Sequence, residues 1–442
     1  MISRAFALAV MLGLTGLAMA NGGVLTLEQA LETARKSALP LRLAEKDVDE
    51  AKFTRKLAVA RFSPLANLSA AHSYSNFEAG PGGFGPSGNV SNTALTLSAQ
   101  QPIDLSGRDR DRLRAANFGL QAAQTGLETA WNQVKGDVRA QYFVALQAQE
   151  IVGIQVDALK ANEARLANAR RAFEAGSIPR FEVIRLETLV KASEQELVQA
   201  RGTFRLAKQV LNNVLGRAIE TDFEIQAPTD PAALQATPMQ LVALGLRTRP
   251  DLKALRLSVL GLESNAKAEA KAADPSLTVS ALYLRNLDPG FGQSRAQTTA
   301  QIELSWPIVT GGAVKANSDA ARNRTDRVEI QLEQASLGVA LAVLNAVTQY
   351  ETAQESKAAA DQNVVLATEA LRLAQLRYDE GAGILLDVTT AQADLTAASN
   401  RAAAARFQVR LAYAQLQLAV GQDDLSAAVT ARSQTKWMEE KR

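Results

Sequence analysis

The residue types with which a chain usually does chemistry are scarce here. Cysteine is absent and histidine occurs once, as His72, so thiol chemistry, disulfides and a His/Cys metal cluster are excluded. There is no Gly-rich phosphate loop and no paired-carboxylate motif at a strand end, so no catalytic residues are assigned and no cofactor or metal is expected. What the sequence offers instead is a pair of acids at matched places. Glu182 stands six residues after Gly176 and Asp387 six residues after Gly381, a separation of 205. Each follows a turn, where a carboxylate in the first helical turn is also a favourable partner for the helix dipole.

The match extends well beyond the acids. Arg171-Ala172-Phe173-Glu174-Ala175-Gly176 is echoed by Leu376-Arg377-Tyr378-Asp379-Glu380-Gly381, Pro102-Ile103 by Pro307-Ile308, and Leu215-Gly216 by Val420-Gly421. Upstream the shift drifts, with Pro64 answered by Pro275 and Pro40 by Pro250. A period this long indicates a doubled half and not a short-repeat solenoid. The expected division is a signal peptide over 1–20, a first repeat over 21–220, a linker over 221–237, a second repeat over 238–422 and a tail over 423–442. The signal reading rests on Arg4, the apolar run Ala5 to Leu17 and the Ala18-Met19-Ala20 cleavage pattern. That run is short for a membrane anchor, and no later segment is an unbroken apolar stretch of spanning length.

Composition favours helices packed through small side chains: 47% of residues are hydrophobic but only 5% aromatic, and alanine is abundant. The net charge of +2 gives no argument for nucleic acid. Residues 26 to 60 read as helix, opened by a capping box at Thr26 and Gln29. Strand pairs are expected at about 65–101 and 276–307. In the second, Ala300, Ile302, Leu304, Trp306 and Ile308 face one way and Thr299, Gln301, Glu303 and Ser305 the other, the signature of a wall between lipid and a wet lumen. Proline-free stretches from Arg108 to Ala175 and from Lys315 to Glu380 predict helices about 100 Å long at 1.5 Å per residue. Their return helices carry apolar seams, Val388 to Ala419 in alternate steps of three and four, and Val183 to Val214 with Ser193 the only polar position. Each half therefore contains a long antiparallel helical hairpin, within about 105–215 and 311–420, turning at Gly176 and Gly381. Four strands cannot close a membrane barrel, so several copies must share one.

In the two-fold repeat, the proline-flanked strand pairs and the turns at Phe173-Glu174-Ala175-Gly176 and Tyr378-Asp379-Glu380-Gly381, the chain resembles the TolC family of outer-membrane efflux proteins. The resemblance covers nearly the whole chain after residue 20. It implies a mainly α fold with a small β part: a homotrimer with a 12-stranded transmembrane β-barrel and an α-barrel across the periplasm, located in the outer membrane. It implies an exit duct for substrates delivered by an inner-membrane pump and a periplasmic adaptor. The hairpin tips at Gly176, Ser177, Gly381 and Ala382 become the adaptor-docking site, and Glu182, Tyr378 and Asp387 the periplasmic gate. Acids repeated by three-fold symmetry repel one another and attract cations. Two departures from the family pattern, Thr390 in place of a second acid and Gly383 in place of an arginine, imply a weaker lock. The rival reading is a periplasmic coiled-coil adaptor, which would share a helical hairpin but not two hairpins joined to two amphipathic strand pairs.

Overall fold

The computed structural model describes residues 23–77, 88–229, 234–289 and 294–425. The expected signal segment, the Gly80 to Pro86 stretch, Gly290 to Gly292 and the tail beyond Leu425 lie outside them. The elements in order are β1 (Val24–Leu25), α1 (Leu27–Ser37), α2 (Leu39–Ala60), β2 (Leu65–Phe77), β3 (Gly88–Ile103), α3 (Arg108–Glu174), α4 (Arg180–Leu215), β4 (Glu224–Ile225), α5 (Pro238–Thr248), α6 (Pro250–Ala270), a 3-10 turn at Lys271–Ala273, β5 (Ser276–Asn286), β6 (Ala296–Ser305), α7 (Ala313–Asp379) and α8 (Leu385–Val420). α3 and α7 both run 67 residues, and α4 and α8 both run 36.

The chain forms two compact units that do not follow the two halves of the sequence. One takes the described parts of Met1–Leu43, Glu128–Arg249 and Ser336–Arg442, the other Ala44–Leu127 and Pro250–Ala335. Each unit draws on both halves.

The second unit holds a four-stranded antiparallel sheet in the order β2-β3-β5-β6. Its register sets Ala66, Ala99, Ala281 and Ala300 in one row, Leu68, Leu97 and Tyr283 in the next row on one side, and Val279 with Ile302, then Leu277 with Leu304, on the other. Because side chains alternate along a strand, these rows share a face. The opposite face carries Asn67 with Ser98, Gln100 with Ser280 and Gln301, and Thr278 with Glu303. Leu282 and Leu284 depart from that polar pattern. His72 Nδ1 lies 3.0 Å from Thr93 Oγ1, which donates to Asp288 Oδ2 at 3.1 Å, so the lone histidine reaches an acid through a threonine.

In the first unit the seams are buried. Val183, Leu186, Val190, Ser193, Leu197, Ala200, Ala207 and Leu211 pack inward on α4, as do Val388, Ala398, Ala402, Ala405, Val409, Ala412, Leu416 and Ala419 on α8. Alanine at half of the α8 positions brings the helix axes close.

Four features differ from the sequence expectations. The 26–60 helix is broken at Ala38, whose ψ of 126° is extended, just as α5 breaks at Arg249 with ψ 123° before Pro250. The 221–237 linker contains β4, which pairs in parallel with β1, and the Tyr142 hydroxyl clamps the pair by donating to the carbonyls of Leu25 at 2.9 Å and Gln226 at 2.6 Å. The tail begins packed: Leu425 is buried, and Asp423 bridges Lys135 and Arg139 at 2.7 Å each. Finally, an 18-residue window of α7 reaches a mean hydropathy of 1.4, enough by length and composition to cross a membrane, although only 22% of it is buried. Two apolar faces explain this. Val339, Val343, Ala346 and Val347 are buried within the chain, while Leu337, Leu341 and Leu344 are exposed on another side.

Candidate functional site at the hairpin tips

Both hairpins turn in the same way. Gly176 and Gly381 take φ values of 72° and 74°, the left-handed region that costs an L side chain and suits glycine. In each turn an amide reaches back five residues, Ser177 N–H to the Ala172 carbonyl at 2.9 Å and Ala382 N–H to the Arg377 carbonyl at 2.8 Å, closing the carbonyls left open at a helix end. No atom outside the local chain lies within 4 Å of where a Cβ would sit on either glycine. The tips are therefore rigid in backbone and open in surroundings.

Behind the tips a small apolar core joins the two hairpins. Leu166 and Ala169 of α3, Val183, Leu186 and Val190 of α4 and Leu385 of α8 are buried together, with Ile178 and Tyr378 packed against them. Tyr378, the last aromatic of α7, thus lies between hairpins. Its hydroxyl donates to Glu182 Oε2 at 3.4 Å, a long bond near the limit of a real one. Burial raises the Tyr378 pKa above its ordinary value, and the neighbouring Glu182 carboxylate reinforces this because a phenolate beside it would be repelled. The phenol stays protonated and remains a donor. Asp387 is exposed, and its carboxylate has no partner among the described residues. Glu182 and Tyr378 are brought together; Asp387 stands apart from them.

Gly383 has a packing reason to be small. A Cβ there would lie 3.2 Å from Arg377 Cβ and from the Tyr378 nitrogen. At the corresponding place after the first turn stands Ile178, which packs into the shared core.

The sequence reading missed a polar string above this core. Ser193, the one polar residue in its seam, accepts from Asn162 Nδ2 at 2.8 Å; Asn162 Oδ1 accepts from Arg165 at 3.1 Å; and Arg165 donates to Gln392 Oε1 of α8 at 2.6 Å. The signal available in the sequence was Ser193 itself, since a buried hydroxyl needs a partner. Further along, Arg406 of α8 reaches Glu150 of α3 at 2.8 Å and Asp361 of α7 at 3.3 Å. Among the described residues no cluster of three or more His, Cys, Asp or Glu side chains could hold a metal ion.

The profile of a family described as outer membrane efflux protein matches residues 30–217 and again 241–422. Nodulation protein T of Rhizobium leguminosarum bv. trifolii is 25% identical over 395 residues, 87% of this chain and 82% of the relative. The solvent efflux pump outer membrane protein SrpC of Pseudomonas putida is 26% identical over 378 residues, covering 84% and 79%. The crystal structure of the outer membrane protein VceC from Vibrio cholerae superposes with a TM-score of 0.76 at 20% identity, covering 90% of this chain and 96% of that one, a likeness of fold. With its amphipathic sheet, its two helical hairpins and a family match over both halves, the chain belongs to the outer membrane efflux protein family and is an efflux channel component of the outer membrane.

Proposed function

We propose that three copies of this chain form one channel, with twelve strands crossing the outer membrane and the helical hairpins lining a duct through the periplasm. The observation that carries this reading is the open sheet, whose edge strands β2 and β6 flank a four-strand apolar face. In hydrocarbon each unsatisfied backbone group costs several kcal/mol, and four strands are about half of what the smallest closed barrel needs. Pairing β6 of one copy with β2 of the next removes every edge. The exposed Leu337, Leu341 and Leu344 on α7, and Val198 and Leu206 on α4, give the helices apolar surface to bury against other copies. The equal element lengths and the double profile match support two structural repeats.

The tips at Gly176, Ser177, Gly381 and Ala382 receive a periplasmic adaptor, which couples the duct to an inner-membrane pump. Glu182, Tyr378 and Asp387 form the gate. The Tyr378 to Glu182 bond holds the second hairpin against the first, and Asp387, exposed and without a described partner, supplies the acidic ring. Gly383 leaves the second turn without a charged side chain, so the lock is weaker than that of a relative with arginine there. Cell fractionation tests the assembly: the protein should be recovered in the outer membrane as a heat-modifiable trimer. Recovery as a soluble periplasmic monomer would contradict it.

A further inference from the structure

We propose that Arg165 is a second, releasable latch between the two helical hairpins, set above the tip, which limits how far the tip opens once Tyr378 and Glu182 part. The inference rests on the gated-duct reading and adds a residue set to it. Arg165 leaves α3 and donates one nitrogen to Gln392 Oε1 on α8 at 2.6 Å and another to Asn162 Oδ1 at 3.1 Å. Asn162 ties to Ser193 on α4 at 2.8 Å, and the Ser193 hydroxyl donates to the Leu189 carbonyl at 3.0 Å. An unbroken string of hydrogen bonds thus runs from α4 through α3 to α8. Asn162, Ser193 and Gln392 are all buried.

The acceptors decide what kind of contact this is. Burial draws the Arg165 pKa below its usual value, so the guanidinium has lost much of its water. Yet among the described residues no carboxylate lies within ion-pair distance, and both acceptors are neutral amides. A desolvated cation regains less from neutral oxygens than from a carboxylate, so the contact holds its geometry while standing close to break-even. Arg406 is the opposite case. It spans Glu150 on α3 at 2.8 Å and Asp361 on α7 at 3.3 Å, a cation between two acids in the same unit. The unit therefore has, going up from the tip, a weak phenol bond, a cation on neutral partners and an ion-paired bridge.

These levels set lever lengths. At 1.5 Å per residue Arg165 lies about 14 Å from the end of α3, and Glu150 about 36 Å. With the latch closed, a parting of the tips pivots near Arg165; with it released, the pivot retreats to Arg406. The same angle then moves the tip between two and three times as far, by the ratio of those roughly estimated lengths.

The test is single-channel conductance of the full-length protein in planar lipid bilayers, measured in a Tyr378→Phe background. Adding Arg165→Met, which keeps bulk and removes the donors, should raise conductance further, by roughly twofold on the lever ratio. Adding Gln392→Glu, which gives the guanidinium a carboxylate, should return conductance toward wild type; this arm strengthens a contact and decides the matter even if Arg165→Met assembles poorly. Double variants that conduct like Tyr378→Phe alone would overturn the latch while leaving the duct standing. Absence of any conducting pore in the wild type, or a Tyr378→Phe channel no wider than wild type, would overturn the gated-duct reading and the latch with it.

Discussion

A phenol 3.4 Å from a carboxylate and an acid without a described partner are the two kinds of residue on which the proposed gate depends. If three copies of Asp387 ring the aperture, Asp387→Asn should lower cation selectivity, read as a reversal potential moving toward zero in a salt gradient, with little change in stability. Tyr142 offers an independent check far from the tip. Burial pushes its pKa up to about 12 from 10.0, and its hydroxyl holds the β1–β4 pair through two carbonyls. A group whose folded pKa is raised contributes stability that is complete below its unfolded pKa and is lost as pH climbs to the folded value. Thermal stability should therefore fall between about pH 10 and about pH 12, by roughly 3 kcal/mol at the upper end. In Tyr142→Phe that part of the alkaline loss should vanish, on a baseline lowered by about 1–3 kcal/mol for the carbonyls left unpaired. An unchanged alkaline profile in the variant would count against this role.

At the scale of elements, glycines with the same backbone answer to different surroundings. Gly176 and Gly216 have φ of 72° and 69°. A Cβ on Gly176 meets nothing within 4 Å, whereas on Gly216 it would lie 2.3 Å from the Ser37 carbonyl oxygen. Gly176→Ala should cost about 1 kcal/mol for the left-handed conformation alone, and Gly216→Ala about 3 kcal/mol or more, because α1 must move away from the end of α4. Denaturation midpoints of the two variants compare them directly; equal losses would contradict the packing account. These elements were readable in the sequence because glycine and proline punctuate them and the seams repeat over many turns. The break at Ala38 was less readable, since Pro40 tolerates the second position of a helix and marks the end of nothing by itself. The β1–β4 pair was unreadable: two residues are too few to show alternation. Arg165 and Gln392 are 227 positions apart, and only folding brings them together.

For the whole molecule, the doubled sequence proved a poor guide to the compact units, because strands and helices from both halves interleave in each. The half is a unit of pattern and not of packing. The same interleaving leaves β2 and β6 as the two free edges of the sheet, and the central claim is that each edge is completed by another copy. The cysteine-free sequence makes this directly measurable. Single cysteines placed along β2 and along β6, combined as pairs in one chain, should give oxidised trimers on denaturing gels from outer-membrane preparations, and either cysteine alone should give none. Pairs along the full length of both strands that yield only monomers would contradict the shared barrel.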